Sequence, residues 1–281
     1  MQNKTYFYRI GGVRLELDAP AFEETGTLPL FAEEASRPDH RILVQMADAL
    51  PVPESEPAYR DFFRCYYGTG PAGIRLVYDE RDGQPLFLDE PLPDGEGRLI
   101  LYRKGKEAYF GSHLAIDFLN LPELMPFYDA FFLHASWVEL GGEALLFTAQ
   151  KQVGKSTQAA LWKQYRGAET VNGDRVLLRR VNGAWLACGS PYCGTSDICH
   201  NRTMPVKGLV ILSQGPESIA HRASPAQAFR ALLDGASFEK RDRVTLEKMT
   251  ELLGLAAAEL PFYALSALPD ESAVEALEKL F

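Results

Sequence analysis

Residues 148–156 have the composition of a phosphate-binding loop, which ends in Gly154, Lys155 and Ser156. In such a loop, successive backbone N–H groups and the start of the following helix surround a phosphate. The lysine reaches the outer phosphates and the serine hydroxyl ligates Mg²⁺. The sequence therefore predicts a site for ATP and Mg²⁺. The predicted contacts are Ala149, Gln150, Lys151, Gln152, Val153, Gly154, Lys155, Ser156 and Thr157.

The context of this segment separates a working loop from a chance Gly-Lys-Ser at a capped helix start. A short aliphatic run at residues 144–147 predicts a buried strand before it, and residues 155–166 predict a helix after it. Ala149 stands where glycine usually opens the loop, and it fits if its φ is negative. Lys151 is either a second phosphate contact or a solvated charge. We expect a functional loop.

Phosphoryl transfer needs a carboxylate near the metal or the acceptor hydroxyl. Asp174 is the candidate, because it follows a predicted strand at residues 168–171 that we expect to be a parallel neighbour of the loop strand. The alternative is a simple turn residue in the Asn172-Gly173-Asp174 segment. His134 is either a hydrogen-bonded core residue or a member of the site.

The cysteines near these segments do not predict a metal site. Cys188, Cys193 and Cys199 are spaced too far apart for the usual zinc-binding pairs. All four cysteines of the chain, including Cys65, are read as free thiols in a reducing compartment. Residues 194–196 are expected to form a polar loop that closes over phosphates.

The chain is expected to have two parts, a β-rich region at residues 1–120 and a nucleotide-binding domain at residues 121–281. The first is expected to be antiparallel, with strands at residues 5–10, 13–17, 41–46, 73–78 and 98–102. The aromatic residues between 121 and 133 have helical spacing and predict a helix that connects the two parts.

The second part is expected to be an α/β domain with a mixed sheet. Asn182-Gly183 predicts a tight hairpin between strands at residues 175–181 and 184–188. That antiparallel pairing interrupts the regular strand–helix alternation of a parallel sheet. Further strands are predicted at residues 206–213 and 262–267, and helices near residues 224–233, 245–258 and 270–281.

Composition limits the classes of partner. A net charge of -9 argues against a nucleic-acid or anionic-membrane binder, because both need a broad basic surface. No apolar stretch approaches the length of a membrane span, and the N-terminus does not resemble a signal peptide. We therefore expect a cytoplasmic protein.

Four segments that occur in order resemble the HPr serine kinase-like proteins, which share a core with the ATP-dependent phosphoenolpyruvate carboxykinases. They are His134-Ala135-Ser136; Gly154-Lys155-Ser156-Thr157-Gln158 with Leu161-Trp162; Asn172-Gly173-Asp174-Arg175; and residues 191–196 with Asn201-Arg202. The resemblance covers roughly residues 130–281. It implies a mixed sheet with an embedded phosphate loop and the use of ATP and Mg²⁺. It also implies a base or metal-orienting role for Asp174, a place beside the phosphates for His134, and a supporting role for Arg175.

The chain departs from the family at particular positions. Many relatives have glycine where Ala149 and Gln152 stand, and the bifunctional HPr enzymes have paired aspartates at the positions of Gly173 and Asp174. The chain lacks the glycine-rich C-terminal signature of HPr kinase/phosphorylase. The expected activity is a kinase that phosphorylates a hydroxyl group, such as a serine or threonine of a small protein or peptide. The alternatives are a nucleotide-binding module that recruits a partner without catalysis, and a plain NTP hydrolase.

Overall fold

The computed structural model describes residues 3–22, 24, 26–60, 63–67, 74–92, 95–105, 119–150, 153–240 and 243–281. The chain forms two compact units. The first contains Met1–Leu121 with Glu239–Leu246, and the second contains Pro122–Phe238 with Glu247–Phe281. No helix within the described ranges is long and apolar enough to cross a membrane.

The first unit is built on one mixed sheet. Its strands are β1 (Asn3–Ile10), β2 (Val13–Pro20), β3 (His40–Ala47), β4 (Tyr59–Arg60), β5 (Phe63–Tyr67), β6 (Arg75–Asp79), β7 (Pro85–Leu92) and β8 (Glu96–Tyr102), and short 3-10 turns cover Leu28–Phe31 and Arg103–Gly105. The strands are ordered β1-β2-β3-β8-β7-β6-β5-β4. The β1–β2 hairpin buries alternate residues, including Tyr8, Ile10 and Val13.

The expectation of a purely antiparallel first region was wrong. Strand β3 is parallel to both β2 and β8, while the other neighbouring strands are antiparallel. The connection from β2 to β3 covers residues 21–39, which is long enough to return the chain to the starting end of the sheet. Strand β7 was not predicted from the sequence. Its first residue is Pro85, and proline usually indicates a turn, although the first position of a strand tolerates it.

The second unit contains the remaining strands. They are β9 (Ala130–Leu140), β10 (Glu143–Thr148), β11 (Glu169–Asn172), β12 (Arg175–Val181), β13 (Ala184–Cys188), β14 (Thr203–Gln214), β15 (Ile219–Arg222), β16 (Ala236–Ser237) and β17 (Phe262–Ala267). The α-helices of the described residues are α1 (Leu121–Leu124), α2 (Lys155–Arg166), α3 (Pro225–Gly235), α4 (Arg243–Glu259) and α5 (Glu271–Glu278), and 3-10 turns lie at Met125–Tyr128 and Gly194–Ser196.

Strands β9 and β14 are long, and the two halves of each pair with different neighbours. The first half of β9 pairs with β12, and its second half pairs with β10 on one side and β11 on the other. Strands β10, β14 and β17 are mutually parallel, whereas β9, β12 and β13 are antiparallel to their neighbours. The mixed α/β architecture expected for this part of the chain is confirmed.

Local sequence signals explain several of these elements. Asn182 and Gly183 have φ of 51° and 83°, as a tight hairpin turn between β12 and β13 requires. Helix α2 ends at Gly167, whose φ of 66° is left-handed and whose N–H bonds the carbonyl of Lys163. Helix α3 begins at Ser224, which forms a reciprocal capping box with Gln227.

The predicted helix over residues 121–133 was wrong. Helix α1 is a single turn, a 3-10 turn follows, and the aromatic residues enter β9. Pro126 interrupts helical hydrogen bonding, and Asp129 has a left-handed φ of 54° that redirects the chain. A short apolar run is compatible with both periodicities, and here Phe131 and Phe132 are fully buried on opposite faces of a strand.

The core of the second unit lies on both faces of this sheet. Alternate residues of β9 and β10 separate into two clusters, so that Trp137 and Leu146 face one layer and Val138 and Phe147 the other. Helices α3 and α4 cover the first face, and helices α2 and α5 cover the second. The phosphate-loop segment therefore leaves a strand that is buried on both sides, which fixes its position.

Candidate functional site

The loop after β10 has the backbone of a strand-to-helix turn. Gly154 has φ of +119°, a conformation that L side chains rarely adopt, so glycine is required there. Ala149 does not have a positive φ, so an alanine fits at the position where glycine usually opens such a loop. The side chains of Ala149 and Val153 pack against the core cluster beside α2. Lys151 and Gln152 lie outside the described residues.

Helix α2 begins without a negative partner. Among the described residues no side chain caps Gly154, and the first turn contains no acidic residue. The first N–H groups of a helix have no intrahelical acceptor and carry a partial positive charge. The exposed Ser156 and Thr157 occupy this first turn. The helix start therefore presents donors and positive potential suited to an anion.

Lys155 is the first residue of α2 and is mostly buried, with 9% of its surface exposed. Its Nζ donates a hydrogen bond of 3.4 Å to the carbonyl of Ala149, at the other end of the loop. Burial lowers the pKa of Lys155 from its usual range, and the charge of Asp174 opposes that shift. A buried ammonium at a positive helix end is favourable only when anions are near it.

Asn172 holds the turn that presents Asp174. Its fully buried side-chain oxygen accepts hydrogen bonds of 2.9 Å from the backbone N–H groups of both Asp174 and Arg175. Its amide nitrogen donates to the carbonyls of Ser190 and Tyr192 at 3.3 and 3.0 Å. One side chain thus joins the Asp174 turn to the loop after β13. The position of Asp174 is therefore fixed by a satisfied buried amide.

Asp174 and His134 are in direct contact. The Nδ1 atom of His134 lies 3.3 Å from Oδ1 of Asp174 and 3.1 Å from its backbone oxygen. Both partners are acceptors, so Nδ1 carries the hydrogen. This bond holds the pKa of Asp174 below its usual range, and the charges of Arg175 and Lys155 act in the same direction. The carboxylate of Asp174 is therefore ionised at neutral pH. The sequence left His134 as either a hydrogen-bonded core residue or a member of the site, and its contact with Asp174 is compatible with both interpretations.

The sequence predicts that the strand before Asp174 is a parallel neighbour of β10. In the structure this strand, β11, is not paired with β10. Strand β11 pairs antiparallel with β9, and β9 pairs antiparallel with β10, so β11 and β10 run in the same direction on either side of β9. Asp174 reaches His134 because Arg175 pairs with His134 in the β12–β9 register. Asp174 follows the carboxyl end of β11, as expected, but the expected adjacency of β11 and β10 was wrong, because β9 lies between them and no local sequence pattern predicts that insertion.

Arg175 lies beside the same carboxylate. Its Nε is 3.7 Å from Oδ2 of Asp174, and its guanidinium lies over the ring of Tyr192 at 5.0 Å from the ring centroid. Tyr192 in turn meets the ring of Phe132 edge to face, with centroids 5.2 Å apart. Cation–π contact of this kind orients a guanidinium while leaving its donors available.

The 3-10 turn Gly194–Ser196 packs directly on Asp174. A Cβ atom at Gly194, whose φ is +57°, would lie 2.6 Å from Cγ of Asp174. A Cβ atom at Gly173 would lie 2.3 Å from Oγ of Ser196. The Ser196 hydroxyl is itself fixed, because it donates to the carbonyl of Cys193 at 2.7 Å. The turn at residues 194–196, which the sequence predicts to close over phosphates, therefore packs against the carboxylate of Asp174.

A cavity of about 690 Å³ opens beside the loop. It lies where strands β10, β14 and β17 approach their carboxyl ends, and helix α3 forms its other wall. His134 and Thr148 stand at its loop end, and Thr148 uses its hydroxyl to bond the carbonyl of His134 at 3.1 Å. Grooves at the carboxyl ends of parallel strands are where α/β proteins usually bind ligands.

The structure brings four of the residues singled out from the sequence into one region: His134, Lys155, Asp174 and Arg175. Asn172 was noted only as part of a turn, and its burial is what reveals its role. Within the described ranges no cluster of three or more His, Cys, Asp or Glu side chains could hold a metal ion by itself. A single carboxylate and a serine hydroxyl fit the way Mg²⁺ is held with substrate phosphates and water.

Comparison with solved structures finds a distant similarity. No protein-family model matches the chain, and no curated protein sequence matches it. The structure of the HPr(Ser) kinase/phosphatase from Coxiella burnetii is similar over 42% of this chain and 86% of that chain, with 14% identity and a TM-score of 0.26. Similarity at this level indicates only a distant structural relation.

Proposed function

We propose that this chain binds ATP with Mg²⁺ on a phosphate loop like that of the phosphoenolpyruvate carboxykinases and transfers the γ-phosphoryl group to a hydroxyl. The observation that carries the proposal is the position of Lys155. It is a mostly buried ammonium at an uncapped helix start, and it interacts electrostatically with a carboxylate that is bonded to His134. A buried ammonium at such a helix start is stabilised by a bound anion.

The helix start and Lys155 account for binding of the phosphates. The N–H groups of the first turn of α2 point at the bound anion, and the helix dipole favours its negative charge. Lys155 leaves the Ala149 carbonyl, a 3.4 Å contact, and moves to the outer phosphates. Because its pKa is lowered by burial, phosphate binding raises that pKa again and holds the proton on the amine.

Asp174 accounts for orientation of the acceptor. Phosphoryl transfer passes through a loose transition state, which needs positioning and charge stabilisation more than a strong base. An ionised carboxylate held by Asn172 and His134 has one fixed orientation toward the acceptor hydroxyl. Ser156 and Asp174 would hold Mg²⁺ together with phosphate oxygens, and the ion would neutralise the charge that develops on the phosphates.

The test is a matched pair of lysines on helix α2. Lys155→Ala should lower phosphotransfer by about 10²–10³-fold, since it removes a cation that stabilises the transition state. Lys163→Ala removes an exposed lysine from the same helix and should leave activity unchanged. Calorimetry with a nonhydrolysable ATP analogue and transfer of ³²P from [γ-³²P]ATP measure binding and chemistry separately. Equal activity of Lys155→Ala and wild type would exclude the proposal.

A nucleotide-binding module without catalysis is the second candidate, favoured by the single carboxylate at the site. In that case Mg-ATP raises the melting temperature through binding energy alone. No acceptor becomes labelled, and no nucleotide is consumed. Thermal melts with and without Mg-ATP, followed by product analysis, distinguish this module from the kinase.

A further inference from the structure

The cavity beside the loop is mostly apolar. The residues Val153, Ile211, Leu212, Ala231 and Ala264 contribute aliphatic surface from the loop, two strands and helix α3. Thr148 also faces the cavity, but its hydroxyl already donates to the carbonyl of His134. Such a surface takes up apolar groups because their transfer from water is favourable by an amount proportional to the area buried.

The charged groups of the cavity stand at its outer wall and cancel. Arg230 and Asp234 lie one turn apart on α3 with Nε and Oδ2 at 3.9 Å, and their side chains are 86% and 61% exposed. Among the described residues that line the cavity, no other lysine, arginine, aspartate or glutamate is present. A strongly charged molecule would lose its hydration there without gaining an opposite charge. The described lining therefore favours a ligand whose body is neutral.

One end of the cavity lies at the centre of the proposed chemistry. His134 lines the cavity and bonds Asp174, and Asp174 interacts with Lys155. A γ-phosphoryl group held by Lys155, with Asp174 beside it, therefore lies next to the His134 end. A hydroxyl placed at that end can attack it, whereas the nucleoside is separated from this point by the length of the triphosphate.

We propose that this cavity is the acceptor subsite and that the acceptor is a small neutral alcohol with an apolar body. The inference rests on the proposed kinase function and names its second substrate. The alcohol oxygen forms a bond to the γ-phosphorus, the bond from that phosphorus to the β–γ bridging oxygen breaks, ADP leaves, and the hydroxyl proton passes to solvent. The cavity volume of about 690 Å³ is typical of pockets that enclose small molecules.

The experiment uses straight-chain primary alcohols as probe acceptors. The full chain is incubated with Mg²⁺, [γ-³²P]ATP and ethanol, 1-butanol, 1-hexanol or 1-octanol, and the labelled alkyl phosphate is measured. Each added methylene group buried in the cavity should raise kcat/KM by about fourfold, until the cavity is full. Ethanol is the control that carries the hydroxyl without the apolar body.

A matched pair of alanines on helix α3 tests the location. Ala231 lines the cavity, so Ala231→Trp should fill it and lower kcat/KM for 1-octanol by about tenfold or more. Ala226 is exposed on the same helix and outside the lining, so Ala226→Trp should behave as wild type. Binding of a nonhydrolysable ATP analogue, measured by calorimetry, should be unchanged in both variants.

The outcomes separate this inference from the proposed function. If Ala231→Trp weakens nucleotide binding by about tenfold, the cavity belongs to the nucleotide and the acceptor inference is wrong, while the kinase proposal stands. If wild type binds the nucleotide but no alcohol is phosphorylated with a dependence on chain length, the acceptor class is wrong. If wild type and Lys155→Ala bind nucleotide equally poorly, the proposed function itself fails.

Discussion

The starts of helices α2 and α3 differ in how their N–H groups are satisfied. Helix α3 is closed by its own sequence, because Ser224 accepts from the N–H of Gln227 and the Gln227 side chain accepts from the N–H of Ser224. Helix α2 begins at a glycine and a lysine; its first turn contains no acidic residue, and no described side chain caps it. A start that serves stability carries its own acceptor, whereas a start that serves binding leaves its donors to a ligand.

The largest expected effect concerns the carboxylate linked to the open start of α2. Asp174→Asn removes the charge that orients the acceptor and would ligate Mg²⁺, so it should lower turnover by about 10²-fold or more and weaken binding of Mg-nucleotide by a smaller factor. Glu275→Gln, at an exposed position of α5, is the control. Steady-state phosphotransfer and calorimetry measure the two quantities. Unchanged turnover in Asp174→Asn would mean that the open start binds nucleotide without any link to catalysis.

An acidic residue in the first turn of α2 should stabilise the helix and weaken nucleotide binding. Thr157→Glu places an acidic residue in the first turn of α2, where a carboxylate stabilises a helix by about 0.3–1 kcal/mol. The same carboxylate repels a bound phosphate, so nucleotide affinity should fall by about tenfold. Thr157→Gln is the neutral control. Thermal melts and calorimetry measure both effects, and a Glu variant that kept full nucleotide affinity would place the anion elsewhere.

Opening the closed start should cost stability alone. Ser224→Ala removes the side-chain acceptor of α3 and should lower the free energy of unfolding by about 1 kcal/mol. Chemical denaturation measures the loss, and calorimetry should show unchanged nucleotide binding. A loss of nucleotide affinity in this variant would show that the start of α3 also contributes to binding, which would contradict the contrast between the two helix starts.

The smallest expected effect is a dependence of stability on pH. The pKa of Asp174 is held below its ordinary value of 3.8 in the folded state. Its contribution is therefore fully present above that ordinary value and is lost as the pH falls through the folded-state pKa. The difference in unfolding free energy between wild type and Asp174→Asn should shrink below about pH 4. A constant difference down to pH 2 would contradict the contact with His134.

The sequence predicted the elements that depend on local signals. Helix α2 occupies residues 155–166 as expected, and the Asn182-Gly183 hairpin joins the expected strands. Gly-terminated helices and Asn-Gly turns are determined by a few neighbouring φ angles, so short patterns suffice. The roles assigned to the site residues stay predictions, because contacts alone do not demonstrate a ligand.

The sequence failed where the outcome depends on distant partners. The run that includes Phe131 and Phe132 has helical spacing, and only burial on both faces made it a strand. The insertion of β9 between β10 and β11 depends on long-range pairing, which no local pattern reports. Asn172 had the composition of an ordinary turn, and its part in holding Asp174 is visible only from the partners that the fold brings to it.

The contact between Gly173 and Ser196 restricts how this chain can change. Because an atom added at position 173 would lie 2.3 Å from the Ser196 hydroxyl oxygen, a mutation to aspartate there collides with a neighbour that is itself hydrogen-bonded. A second acidic group can therefore be acquired only if position 196 becomes smaller in the same lineage. The substitution at position 196 must therefore precede or accompany the one at position 173, so the two positions are expected to change together.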